Sequence, residues 1–253
     1  MRLDRNAWER WASAIMKVKD DLQTTVNDRA VFQGFSDLVR ENEAWIGAHE
    51  GMFFCNFVVR AYVAKVALGV RRQVKAQDDS LSLLRILSQI KDCAPQLTFD
   101  FFLKLFPRDP EYVPWQEPTF KNISADGRVA SAGLINGDIE EIKRLTAEIE
   151  AYADRALAHL DKRGYDGKVT FDDLDNAIEA LDRIACKYIA VLTGQGYPSL
   201  EATVVFDWKR IFSVPWREHV ELSAIDKWAA GITTSAPPVG QRSSGPSSPQ
   251  QSE

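Results

Sequence analysis

Residues 138–163, DIEEIKRLTAEIEAYADRALAHLDKR, decide the fold. Ile139, Ile142, Leu145, Ile149, Ala156 and Leu160 recur at three- and four-residue intervals, the period at which a helix returns to one face. A polar loop follows, ending before a second periodic run. Thr170 caps that run, with Asp173 three residues on in a capping-box arrangement. Ala177, Leu181, Ile184, Tyr188 and Val191 give its buried face, and it stops at Thr193 ahead of Gly194 and Gly196. Two long amphipathic helices joined by a short loop predict an all-α helical bundle.

The rest of the chain repeats the pattern. Trp8, Trp11, Ile15, Val18 and Leu22 predict a helix over about 4–25. Val31, Phe35, Leu38 and Val39 predict another over about 28–46. The most apolar stretch, about 50–76, contains Asn56, Arg60 and Lys65, which argues for a core helix and against a membrane span. Ser80 is placed to cap a fourth helix running to about Asp92, striped by Leu81, Leu84, Leu87 and Ile90. Residues 95–133 differ. Pro95, Pro107, Pro110, Pro114 and Pro118 forbid a long helix and predict an irregular, proline-rich insertion. Within it Phe99–Phe106 suits a short helix, and Phe101, Phe102, Tyr112, Trp115 and Phe120 suit packing onto the bundle. Ala202–Phe206 suits a short strand. The expected organisation is one helical domain over 1–230 and a disordered tail over 231–253, where Ser, Pro and Gln dominate.

Composition narrows the function classes. With 45% hydrophobic and 26% charged residues, the chain reads as an ordinary globular protein. A net charge of −5 excludes a bulk nucleic-acid binder and leaves room for a local basic patch. Cys55, Cys93 and Cys186 are scattered through apolar helical contexts, so buried thiols in a reducing compartment are expected, and no zinc site. No signal-peptide core opens the chain, so a cytoplasmic location is expected, with no membrane partner.

Asp154, Arg155 and His159 bring an acid, a guanidinium and an imidazole together near a helix end. Arg155 and His159 are four residues apart and share a face, with Arg163 next in the row. The i−4, i−3 and i+3 neighbours of Arg155 are Ala151, Tyr152 and Ala158, so no acid on its own helix occupies it. Such an arginine is available to a phosphate. The cations around His159 favour the neutral imidazole that a general base requires. Asp154 lies well round the helix from His159, and a second subunit would have to bring an acid there. The same letters also describe a histidine matched to the helix dipole, followed by a solvated last turn of Lys162 and Arg163. Next door, residues 161–173 look like a calcium loop. They carry one residue too many, Arg163 at an early ligand position and no terminal glutamate, and a turn on Asp166-Gly167 before a helix cap explains them as well.

Tyr152-Ala153-Asp154-Arg155, Ala158-His159-Leu160-Asp161-Lys162 and Val169-Thr170-Phe171-Asp172-Asp173-Leu174 resemble the HEPN-domain proteins. The likeness is to the branch named after the abortive-infection protein AbiU, and Arg71-Arg72-Gln73 and Asp79-Ser80-Leu81-Ser82-Leu83 share it. It spans most of residues 5–195. The resemblance implies an all-helical HEPN-like bundle acting as a homodimer. It further implies a metal-independent endoribonuclease without cofactor, in phage defence or beside an antitoxin partner. The family's signature is an arginine, a polar residue, a short spacer and a histidine, brought together from two subunits. Here Ala153 stands where the arginine is expected, Asp154 matches the polar position and His159 the histidine. Arg155 is the nearest substitute. The implied catalytic residues are therefore His159, Arg155 and Asp154. A catalytically silent module for dimerisation, or for RNA or nucleotide binding, follows equally from the departure at Ala153.

Overall fold

Asp4 starts the first helix: its carboxylate accepts the Ala7 N–H at 2.7 Å. Such a cap satisfies an amide that the helix itself cannot. In this computed structural model the described residues are 2–48, 51–75, 77, 80–107, 114–158, 165–203 and 207–212. Every regular element among them is helical, apart from an isolated antiparallel bridge between Thr98 and Val129. The protein is all-α.

Helix α1 (Arg5–Glu41) has 37 residues, about 55 Å of rise. The two helices expected over 4–25 and 28–46 are thus one through residue 41. The junction residues Asn27 and Asp28 do not break it, because their side chains have tertiary work. Asn27 accepts the Ala202 N–H at 2.8 Å, and Asp28 meets the Lys65 ammonium at 2.8 Å. Asparagine and aspartate break helices when they bond to local backbone, and here neither does so. Helix α2 (Glu43–Ala48) is short and buries nothing. Helix α3 (Met52–Val74) is among the described residues the one long and apolar enough to cross a membrane. Its burial is concentrated in the C-terminal half, where Val66, Ala67, Val70 and Val74 are buried, while in the N-terminal half only Cys55 and Tyr62 are.

Helix α4 (Leu83–Cys93) is capped by Ser82, two residues later than expected. Ser80 instead donates to the carbonyls of Lys75 and Gln77. The 95–133 segment is more ordered than an irregular insertion. It forms a 3-10 turn (Ala94–Gln96), α5 (Phe99–Leu105) and α6 (Gln116–Lys121). Phe102 and Phe120 are fully buried, and Trp8 meets Phe101, Phe102 and Phe106 edge-on at 6.1–6.2 Å. Tyr112 lies outside the described residues.

Helix α7 (Ala132–Tyr152) starts six residues before the expected Asp138, on a Ser131 cap. Gly133 and Gly137 weaken that start without stopping it. The regular helix also ends well short of 163 and passes into a π-helical segment, Ala153–Ala158. Helix α8 (Phe171–Thr193) has the expected Thr170–Asp173 capping box and ends on Gly194 at φ 72°, a left-handed turn that suits glycine.

The core lies where α1 packs along α8 and α3, with α7 between α3, α4 and α8. Trp8, Trp11, Ile15, Val18, Leu22 and Val26 form the α1 face of it. All three cysteines are buried, as expected. This unit spans Met1–Val205; a second, Phe206–Glu253, shows among its described residues a 3-10 turn at Trp208–Phe212. Residues 201–203 form no strand, and the remainder of the expected strand, 204–206, lies outside the described residues, as does the expected tail 231–253.

Candidate functional site

The π-helical segment falls on the residues that sequence reasoning singled out. A π turn holds an extra residue, so successive side chains point differently from those of an α-helix. Ala153 stays fully buried in the core. Asp154 turns toward α3, and Arg155 is exposed to solvent. The two charges that were read together therefore diverge.

Asp154 sits in a four-membered ion cluster. Its carboxylate accepts from Arg71 Nε and from Lys75 Nζ at 3.1 Å, and Lys75 also meets Glu150 at 3.1 Å. Burial opposes the ionised Asp154, yet the Arg71 and Lys75 hydrogen bonds outweigh it and hold the carboxyl below the usual carboxylate range. Lys75 answers in kind: burial works against its charge, but Glu150 and Asp154 raise it. Two acids and two bases neutralise one another across α3 and the end of α7. Asp154 is thereby an interhelical anchor.

Arg155 has no hydrogen-bond or ion-pair partner among the described residues. It lies close enough to Tyr165 to act on its phenol electrostatically. Burial and the Glu148 carboxylate push that phenol up, with Arg155 opposing. The Tyr165 hydroxyl donates to Glu148 Oε2 at 3.3 Å. Its ring meets the Tyr152 ring at 5.4 Å between centroids, inclined by 60°. Gly167 makes room: a Cβ there would stand 2.5 Å from Tyr165 Cζ. An exposed guanidinium three residues from one ring of this tyrosine pair offers a phosphate contact near a surface for a base.

His159, with Lys162 and Arg163, lies outside the described residues. So does the first part of the calcium-like loop; of its later residues, Asp173 is committed to the Thr170 cap, at 2.8 Å from the Thr170 N–H. Among the described residues no group of three His, Cys, Asp or Glu is placed to hold a metal ion.

Sequence reasoning missed Tyr152, Tyr165, Lys75 and Glu150. The signal existed. Arg71 and Lys75 are four apart, as are Glu150 and Asp154, and two such opposed pairs mark helices that pack side by side. Compared with known proteins, the chain matches no family model, no curated protein and no solved structure.

Proposed function

We propose that this chain is an HEPN-like module that binds single-stranded RNA at the Tyr152–Arg155–Tyr165 face without cleaving it. The observation that carries this reading is Arg155, exposed and without a hydrogen-bond or ion-pair partner among the described residues, three residues after Tyr152, whose ring meets that of Tyr165. Guanidinium binds phosphate bidentately, and aromatic rings accept unpaired bases by stacking. The charges that catalysis would need are elsewhere committed. Ala153, at the position of the family's arginine, faces the core, and Asp154 is neutralised by Arg71 and Lys75. Phosphorane stabilisation depends on placement to about an ångström, which a substitute cation on a different turn does not reproduce.

The metal-independent endoribonuclease is the second reading, favoured by one point: an open cation four residues before His159. Both are tested together by titrating a labelled oligoribonucleotide with EDTA present. Binding without cleavage is expected. Arg155→Ala should weaken it about tenfold or more, since a charge-assisted contact contributes about 1.5–3 kcal/mol. Tyr165→Leu should cost a similar factor, as loss of one stacking ring does. Binding that survives both substitutions would remove the site. Cleavage that disappears in His159→Ala would favour the nuclease instead.

A further inference from the structure

The free end of the α1–α3 hairpin carries an aromatic patch. Trp45 is 65% exposed, Phe53 80%, Phe57 58%, Phe54 53% and Met52 44%. At 150–250 Å² for a covered aromatic side chain, these residues expose roughly 600 Å² of apolar surface over α2 and the start of α3, with Phe53 and Phe57 on one face of α3. That reaches the upper limit for a monomer's largest patch and approaches the ~800 Å² that each partner buries in a stable complex.

The order of residues along α3 says what covers it. Tyr62 and Gly69 face α1: Tyr62 stacks on Phe32 at 3.9 Å, and a Cβ on Gly69 would meet Thr25 Oγ1 at 2.5 Å. On the opposite face run Phe53, Phe57, Ala61 and Ala64, two large residues and then two small. When two such helices lie antiparallel with Phe57 at the axis, Phe53 of each falls opposite Ala61 of the other. Large then meets small at both ends, as close packing requires. A twofold contact uses the same patch on both copies, and this one is self-complementary. Charge agrees. Arg60, Glu41 and Glu43 are exposed without ion-pair partners among the described residues. The antiparallel arrangement carries Arg60 of one copy to the α2 end of the other, where those acids stand. The same acids flank Trp45 and oppose docking on an anionic bilayer.

We propose that this chain is a twofold dimer through the outer face of α3, with Phe57 at the axis and Phe53 packed on Ala61 of the second copy. The proposal is independent of the RNA-binding reading. It sets the two Arg71 positions, and the ion clusters they anchor, at opposite ends of the paired helices. They are then roughly 40 Å apart at 1.5 Å per residue, so each copy keeps its own Arg155 face. That differs from the family's composite site.

The test is sedimentation equilibrium of the full chain. The wild-type chain should be dimeric at low-micromolar concentration. Phe57→Glu should weaken the dimer about a hundredfold or more, with unchanged far-UV circular dichroism, because two carboxylates would face each other across the axis. Ala61→Arg, an exposed position, should do the same and decides the matter if Phe57→Glu misfolds. Arg60→Glu should weaken the dimer, and adding Glu43→Arg should restore it. A wild-type monomer at about 100 µM overturns the proposal, whether or not it floats with phosphatidylserine vesicles. So does a dimer of wild-type affinity in both Phe57→Glu and Ala61→Arg.

Discussion

Asp154 shows how far a residue's role departs from its letter. Beside Arg155 and His159 it reads as part of an active site, but it fastens the end of α7 to α3. The sign of its pH effect follows. Its folded-state pKa lies below the unfolded value of about 3.9. The stabilisation it gives is therefore fully present above about pH 5 and is lost as pH falls through the folded value. Asp154→Asn should destabilise the protein at pH 7 by about 1 kcal/mol, the upper end for ion pairs that solvent still reaches. The deficit should shrink steadily below about pH 4. Urea midpoints of both proteins across pH 3–7 measure this, and a deficit that does not change with pH would leave Asp154 without its ionic role. Legibility at this scale was poor for a physical reason. The partners of Asp154 are about eighty residues away, and a one-helix pattern search sees only neighbours at three and four.

Elements were far more legible, because an amphipathic period and a cap are written locally. The span of α8, its capping box and its glycine stop were all readable, as was the short α5. The misreadings share a cause: tertiary partners overrode local signals. Asn27 and Asp28 look like a break until Ala202 and Lys65 engage them. The five prolines of 95–133 preclude one long helix but leave room for two short ones, held by Phe102 and Phe120 in the core. Element packing also fixes a glycine. Gly69 lets α3 approach Thr25 of α1, and helix propensity alone would reward Gly69→Ala by about 1 kcal/mol. Overpacking against a stiff, buried threonine should outweigh this, with a net loss of about 1–2 kcal/mol. Thermal melts should show a drop of several degrees, largely recovered in Gly69→Ala/Thr25→Ala, where the obstructing hydroxyl and methyl are gone. An unaltered melting temperature in the single variant would mean that the helices part at no cost.

For the molecule as a whole, stability is distributed unevenly. The buried stripe of α1 stops at Val26 except for Gly34, α2 buries nothing, and Met52, Phe53 and Phe54 at the start of α3 are exposed, whereas α8 has buried residues from Leu174 to Leu192. Segments with few buried contacts open without global unfolding. In the Phe57→Glu variant, where dimer contacts are removed, amides of 36–48 and 51–58 should therefore exchange with deuterium at least about a hundredfold faster than those of 177–189. Equal protection of both, followed by mass spectrometry, would show that hairpin and core open as one unit. The all-α class was legible from periodicity alone, while the protruding hairpin was not, because its apolar residues resemble those of a core helix until their exposure is known.

The Trp8 indole donates to the Leu192 carbonyl at 3.1 Å, joining the first helix to the last long one across 184 residues. On the ribosome this contact comes late. At about 5–20 residues per second, the apolar face of α1 waits roughly 10–40 s for α8 to be synthesised. Throughout that interval the part of the α1 stripe that packs on α8 is without its native cover, although α3 and the Phe101–Phe106 rings are already made. The nascent chain is thus a natural client for holding chaperones, and its yield on expression should depend on their supply more than on the stability of the finished fold.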